Sequence, residues 1–300
     1  MRDSLLGTLF LPLAVGVVMF GLGLSLVADD FARAVRRPRV VLITLVCQLV
    51  VVPLFGLGLI MLFRPEPAVA VGVMLLVATP GGTLANFYSH LCGADVALNL
   101  TLTAVTSVIS VVSIPLIINA SITHFLGDGQ SLGMQPDKVV QVIAIVLVPV
   151  GLGMLARRAW PGFAVRMERP VKVLSMLTLA TAVVSAMMSE WKHLAEAFVD
   201  VGVVVTLLLA GSLAVGYLAP RMFAVPERQA VAASLEIGLH NTPLAIAIAL
   251  SPQLLDDPLM AVAPATYSLM ALLIAGAFTY VMSRRLAKTG TPVSVSSGSA

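Results

Sequence analysis

The residues with the clearest chemical potential lie in segment 234–243, whose sequence is SLEIGLHNTP. Glu236 is the only acidic residue deep inside a hydrophobic segment of this chain. An ionised carboxylate in hydrocarbon is costly unless a cation or strong hydrogen-bond donors lie beside it, so such residues usually mark ion or substrate pathways. His240 and Asn241 add polar groups, while a glycine and a proline weaken the surrounding helix. The segment therefore predicts a broken membrane helix that binds an ion.

A second polar break is predicted at 79–86, where the sequence is TPGGTLAN. Pro80 removes a backbone donor, and the Gly81-Gly82 pair lets the chain leave helical geometry. Lipid cannot satisfy the main-chain groups that are freed, so they must line a cavity or meet another segment. The two broken spans are predicted to cross the membrane in opposite directions. Broken helices at matching places in two halves of a chain indicate the binding site of an inverted-repeat secondary transporter.

The composition indicates that the chain containing these two breaks is a membrane protein. Hydrophobic residues make up 59% of the 300 residues and charged residues 11%, against about a quarter charged in soluble domains. We predict an all-α polytopic membrane protein whose first apolar segment is retained, because it lacks a plausible signal-peptide cleavage site. Hydropathy and loop residues place nine transmembrane helices at about 5–27, 40–62, 69–91, 96–125, 138–157, 170–188, 198–219, 229–250 and 259–282, with the third and eighth broken.

The basic residues predict the orientation. Of the 18 Lys and Arg residues, 14 fall after odd-numbered spans, including the C-terminal segment, and 4 fall on the other side. Because Lys and Arg collect in cytoplasmic loops, we expect an N-terminus outside and a C-terminus in the cytoplasm, in the cell (inner) membrane. The net charge of +3 therefore requires no nucleic-acid partner. Residues 289–300 are small and polar, which predicts a disordered tail after a single membrane domain, 1–288.

Other function classes lack their sequence signatures. The chain contains no P-loop motif, which argues against an ATP-driven pump. It also contains no HExxH motif, no nucleophile elbow and no intramembrane Asp pair, so we do not expect an enzyme. We expect neither a soluble domain nor an obligatory protein partner.

These motifs resemble those of the bile acid:sodium symporter family and its bacterial members. The resemblance rests on PLAVGVVMFGLGLSL with Asp30-Phe31 in the first span, PGGTLAN at 80–86, DVALNLTLT at 95–103 and EIGLHN at 236–241. It implies a panel domain, about 5–27 and 138–188, packed against an inverted-repeat core domain, about 40–125 and 198–282. In that fold the two broken helices cross beside two sodium sites.

The resemblance also implies site residues. The first sodium site would use Asn86, Asn99, Thr103 and Glu236. The second would use Gln48, Glu236, the main-chain carbonyls of Ile237 and Leu239, and the side chain of His240. Sodium is a hard cation suited to oxygen ligands, and one shared carboxylate offsets much of the charge of two such ions. Thr83 and Asn241 are the expected substrate contacts, since freed N–H groups at half-helix N-termini favour an anion.

Three departures from the family pattern affect these expectations. Ala85 stands where serine is usual, although Asn99 supplies a replacement oxygen. Residues 271–273 are apolar where the family often has a polar motif, which predicts a less polar substrate pocket. His240 stands where glutamine is usual, and an imidazole nitrogen is a poor sodium ligand. We hypothesise that protonation of His240 replaces the second sodium, because histidine changes charge in the physiological pH range. A passive hydrogen-bonding role for His240 is the alternative.

The expected function is sodium-coupled uptake of an amphipathic organic anion, bile-acid-like or a small carboxylate, by alternating access. Sodium is the coupling ion, and no cofactor is expected. Alternatives with the same fold are a proton-coupled or uncoupled organic-anion carrier, in which His240 replaces the second sodium, and a ligand-binding membrane receptor. Carrier activity would vanish in potassium medium, whereas a receptor would bind its ligand without accumulating it.

Overall fold

The computed structural model describes residues 16, 17, 19–21, 23, 24, 28–127, 136–251 and 254–288. Within these ranges, the side chains at 28, 83, 136–147, 168, 169, 172 and 175–200 lie outside the description. Much of the first predicted span, and all of the predicted tail at 289–300, also lie outside it. Every regular element in the described part of the chain is helical.

The helices follow one another with short connections. They are α1 (Ala28–Arg36), α2 (Pro38–Val46), a π-helical turn (Cys47–Val51), α3 (Val52–Phe63), α4 (Pro67–Ala78), α5 (Thr83–Cys92), α6 (Val96–Leu126), α7 (Pro136–Ala159), α8 (Pro161–Met222), α9 (Glu227–Gly238), α10 (Thr242–Leu250) and α11 (Pro258–Lys288). Four stretches are long and apolar enough to cross a membrane, namely Pro38–Phe63, Val96–Leu126, Val201–Met222 and Pro258–Lys288. The chain is therefore a multi-pass membrane protein, as expected.

The two predicted helix breaks are confirmed. α4 ends at Ala78 and α5 begins at Thr83, so the third predicted span is two half-helices. α9 ends at Gly238 and α10 begins at Thr242, which divides the eighth predicted span in the same way. Each of these spans thus changes from helix to extended chain near its middle.

One predicted interruption is wrong. The segments 170–188 and 198–219 belong to a single 62-residue helix, α8, without a break at 189–197. The sequence at 189–197, SEWKHLAEA, contains neither proline nor glycine and is rich in good helix formers, so nothing local stops the helix. The low hydropathy of this segment predicts a connection between two spans, but low hydropathy does not break a helix. The count of nine spans is therefore not confirmed.

Three of the four half-helices, α4, α9 and α10, lie in the interior of the bundle, whereas one face of α5 is exposed. The side chains of α4 from Ala68 to Ala78 are buried, as are those of α9 from Ala230 onward and almost all of α10. A helix that is apolar and buried all round belongs to the interior. The long helices are only partly buried and expose large apolar side chains such as Leu54, Leu116 and Leu273, as a lipid-facing surface requires.

The described residues before α1 pack closely against α7. A Cβ atom on Gly23 would overlap the carbonyl of Val150, and one on Gly153 would overlap the carbonyl of Phe20. Small residues allow two membrane helices to approach at this distance. The first and fifth predicted spans are therefore neighbours, whereas the division of the chain into panel and core domains stays a prediction.

Candidate functional site

The two breaks cross and are joined through their main chains. The Gly82 N–H group donates to the Leu239 carbonyl at 2.8 Å, and the Asn241 N–H group donates to the Pro80 carbonyl at 2.8 Å. Gly81 and His240 lie opposite each other as an antiparallel bridge. Each break thereby satisfies main-chain groups of the other, which is necessary where water is scarce.

Glu236 lies beside this crossing and is fully buried, with 0% of its surface exposed. Its carboxylate accepts hydrogen bonds from the hydroxyls of Thr103 at 2.6 Å and Thr106 at 2.9 Å, and from the Gly81 N–H group at 3.2 Å. None of the ion pairs found among the described residues involves Glu236. The carboxylate is thus held by hydrogen bonds from three directions without a basic side chain beside it.

The position of Glu236 depends on the absence of a side chain at Gly81. A Cβ atom there would overlap the carboxylate carbon and both carboxylate oxygens of Glu236. Glycine therefore does more here than permit the break, because it allows the main chain of the first break to contact the acidic group on α9.

Three of the four residues predicted for the first sodium site lie together. Thr103 bonds directly to Glu236, and Asn99 lies one helical turn before Thr103 on α6. The Asn99 amide nitrogen donates to the Ser89 hydroxyl at 2.7 Å and to the Ala232 carbonyl at 3.0 Å. Both amide hydrogens are therefore used, and the Asn99 Oδ1 atom is buried without a hydrogen-bond partner among the described residues.

The fourth residue of that set, Asn86, lies on α5 one turn before Ser89. Its Oδ1 atom is also buried and has no hydrogen-bond partner among the described residues. No hydrogen bond links Asn86 to the other three in the described part of the chain. Asn86 and Asn99 thus contribute oxygen atoms whose bonding capacity the protein itself leaves unused, and such oxygens suit a hard cation.

Gln48 and His240, two residues of the second predicted site, lie beside the first break. Gln48 lies in the π-helical turn, and its amide nitrogen is 3.0 Å from the Thr79 carbonyl and 3.4 Å from His240 Nδ1. The same Nδ1 atom lies 3.3 Å from that carbonyl, so it can accept from Gln48 or donate to Thr79, but not both. Gln48 Oε1 and His240 Nε2 are buried and have no partner among the described residues.

The main-chain groups predicted for the second site are partly engaged already. The Leu239 carbonyl accepts the hydrogen bond from Gly82, which leaves it one further lone pair. Between Ile237 and Leu239, the Gly238 carbonyl accepts a 2.5 Å bond from the Tyr267 hydroxyl. Tyr267 is buried, and its ring lies 5.6 Å from the His240 ring, so it fixes both the end of α9 and one side of His240.

The two predicted substrate residues lie at half-helix N-termini. Thr83 is the first residue of α5, and its side chain lies outside the described residues. Asn241 is the N-cap of α10, where its Oδ1 atom accepts from the Leu244 N–H group at 3.1 Å. The Asn241 oxygen therefore stabilises the helix start, and its amide nitrogen is not used by that cap.

Sequence reasoning missed three polar residues that shape the site, Ser89, Thr106 and Tyr267. Thr106 had a usable signal, because residues 99, 103 and 106 fall on one face of a helix at spacings of four and three. The contacts of Ser89 with α6 and of Tyr267 with α9 join residues from different helices. Only the packed structure reveals these contacts.

Comparison with known proteins identifies the family of this chain. A sequence model of the sodium bile acid symporter family matches residues 12–197 of this chain. The uncharacterised sodium-dependent transporter YocS of Bacillus subtilis is 28% identical over 263 residues, which cover 86% of this chain and 78% of that protein. The ileal sodium/bile acid cotransporter of Oryctolagus cuniculus is 24% identical over 272 residues, covering 89% and 77%.

A human relative, sodium/bile acid cotransporter 4, is 29% identical over 287 residues, covering 91% of this chain and 63% of that protein. These relatives carry the names of transporters, and the expectation that the chain is not an enzyme is confirmed. Because the family model matches more than half of the chain, this protein belongs to the sodium bile acid symporter family.

Proposed function

We propose that this protein takes up an amphipathic organic anion together with sodium by alternating access. The observation that carries the proposal is Glu236, a fully buried carboxylate with three hydrogen-bond donors and no ion pair to a basic side chain among the described residues. A buried ionised group without a counter-charge is strongly disfavoured. A sodium ion beside Glu236 would supply that charge, so ion binding and the stability of this region would be linked.

We propose two sodium positions that share Glu236. The first would use Asn86, Asn99 and Thr103, since the unpartnered amide oxygens of the two asparagines suit a cation that prefers oxygen ligands. The second would use Gln48, His240 and the carbonyls of Ile237 and Leu239, where Gln48 Oε1 is the unpartnered oxygen. In this proposal sodium is a transported substrate, and Glu236 is shared between both positions.

The proposed organic substrate is an anion with an apolar body. The N-termini of α5 and α10 meet at the crossing, with Thr83 as the first residue of α5 and Asn241 as the N-cap of α10. The positive ends of the two helix dipoles favour a carboxylate or sulfonate. Leu84 and Phe87, in the first two turns of α5, expose apolar surface. The names of the rabbit and human relatives, which refer to bile acids, support the same substrate class.

Coupling would follow from linkage between the two ligands. If sodium favours the arrangement that binds the anion, the anion raises sodium affinity by the same factor, and the sodium gradient supplies the driving force. The distribution of basic residues supports insertion in the cell membrane with the C-terminus in the cytoplasm. An inward sodium gradient would make the transport inward.

Transport by purified protein in lipid vesicles tests this proposal. Radiolabelled taurocholate and a short keto acid serve as probes, with an inward gradient of sodium or of potassium. We expect accumulation above equilibrium only with sodium. Accumulation in potassium driven by a pH gradient would instead identify a proton-coupled carrier, and saturable binding without accumulation would identify a binding protein.

A further inference from the structure

We propose that a second anion site, specific for the phosphate group of an anionic membrane lipid, lies between the start of α2 and the turn from α8 to α9. It is separate from the crossing of the broken helices. A cavity of about 270 Å³ occupies this position, lined by Arg36, Arg37, Arg39 and Gln229, together with residues 224–226.

The cavity carries uncompensated positive charge. Arg37 pairs with Asp95, whereas no carboxylate lies within ion-pair distance of Arg36 or Arg39 among the described residues. Glu227, the first residue of α9, is engaged by Arg285 at 2.7 Å and by the Tyr217 hydroxyl at 2.9 Å. Two exposed guanidinium groups therefore face a concave surface whose nearby acidic groups are already paired, and guanidinium forks bind phosphate oxygens bidentately.

Main-chain groups add to this attraction. α2 begins at Pro38 and α9 at Glu227, and neither helix has a side-chain hydrogen bond that caps its N-terminus. Residues at both helix starts line the cavity. The N–H groups in the first turns of these helices therefore add hydrogen-bond donors for a bound phosphate.

The surface beside the cavity favours a lipid as the source of the phosphate. Leu42 and Val46 follow Arg39 at spacings of three and seven on the same helical rod, and their side chains are 64% and 49% exposed. The rod Pro38–Phe63 is one of the membrane-crossing helices. An acyl chain can therefore lie along Leu42 and Val46 while the phosphate of the same molecule reaches Arg36 and Arg39.

Lipid retention measured by native mass spectrometry tests the site. The full-length protein in neutral detergent is titrated with phosphatidylglycerol, with phosphatidylcholine, or with phosphatidylglycerol in the presence of inorganic phosphate. The test variant combines Arg36→Gln and Arg39→Gln. The matched control combines Arg166→Gln and Arg284→Gln, which removes two exposed arginines of the same predicted membrane side that do not line the cavity.

We expect the test variant to bind phosphatidylglycerol about 30-fold more weakly than the unchanged protein, at roughly fivefold for each arginine near a membrane surface. The control should change affinity less than twofold. Inorganic phosphate that displaces the lipid from the unchanged protein at millimolar concentration would support the same site with a free anion as a second occupant. Equal losses of affinity in the test and control variants, or no preference over phosphatidylcholine, would overturn the proposal.

If the double glutamine variant does not fold, the same titration is carried out on the variant that combines Arg36→Lys and Arg39→Lys. We expect that variant to bind phosphatidylglycerol several-fold more weakly than the unchanged protein.

Discussion

The sharpest consequence of the site geometry concerns Glu236→Gln. A glutamine fits the existing hydrogen bonds, because its oxygen can accept from Gly81 and Thr106 as Glu236 Oε1 does. Its amide nitrogen can donate to the Thr103 hydroxyl, whose own hydrogen can turn to the Asn99 carbonyl 3.0 Å away. The substitution therefore removes the negative charge while keeping shape and hydrogen bonding, so the variant should fold and be at least as stable in potassium medium.

The size of the effect on sodium follows from the lost charge. Two opposite charges about 4 Å apart interact by roughly 4 kcal/mol at an effective dielectric constant of 20, which corresponds to about a thousandfold in affinity. Sodium at about 100 times its dissociation constant stabilises the unchanged protein by about 2.7 kcal/mol, or roughly 5 °C or more in unfolding midpoint. The same concentration would be about a tenth of the dissociation constant of the variant, and the shift would fall below about 0.5 °C.

Thermal unfolding in detergent, with sodium replaced stepwise by potassium, measures this difference. Glu227→Gln is the matched control, since Glu227 lies on the same helix but pairs with Arg285 away from the crossing. We expect the control to keep the sodium-dependent shift of the unchanged protein. A full sodium shift in Glu236→Gln, or an equal loss in Glu227→Gln, would refute the assignment of Glu236 as the shared ion ligand.

Three further predictions concern the surroundings of Glu236. Gly81→Ala should abolish sodium-dependent uptake, because its methyl group overlaps the carboxylate, whereas Gly58→Ala, which meets nothing within 4 Å, should leave uptake unchanged in the same vesicle assay. Thr106→Val should raise the half-saturating sodium concentration about tenfold, since a hydrogen bond to a charged group contributes about 1.5–3 kcal/mol and helps keep the ion-binding carboxylate ionised. Thr101→Val is its control, because that hydroxyl bonds only to a main-chain carbonyl of its own helix, and an equal change in both variants would contradict the role of Thr106. His240→Gln should raise the Hill coefficient of sodium-dependent uptake, because an amide oxygen beside Gln48 would bind sodium better than the imidazole nitrogen of His240 does; an unchanged coefficient would argue against a second sodium position there.

The sequence was sufficient to locate the breaks because their causes are local. Pro80 and the following glycines cannot continue a helix, and α4 does end just before them. The second break was located correctly, but the role of its proline was different from the one predicted. Pro243 lies in the first turn of α10, where a fixed φ angle favours helix initiation, and Asn241 caps that helix.

The sequence was insufficient where the cause is tertiary. The contact between Thr106 and Glu236 spans 130 positions, and no local pattern specifies which polar residue of α6 faces α9. In the continuous helix α8, by contrast, polar composition through 189–197 predicts a loop, but the helix propensity of the same residues is high and the helix continues. Local residue chemistry thus predicted which residues are unusual for a membrane, while packing determined which of them meet.

The paired hydrogen bonds between the two breaks also constrain how the molecule can move. Separating the Gly82–Leu239 and Asn241–Pro80 pairs would leave two donors and two acceptors unsatisfied in a poorly hydrated interior, at a cost of several kcal/mol. Such a cost keeps the separated arrangement to a small fraction of the molecules at equilibrium. Rearrangements of this protein should therefore carry α4, α5, α9 and α10 as one rigid unit, with sliding and tilting confined to the surfaces where other helices pack against it.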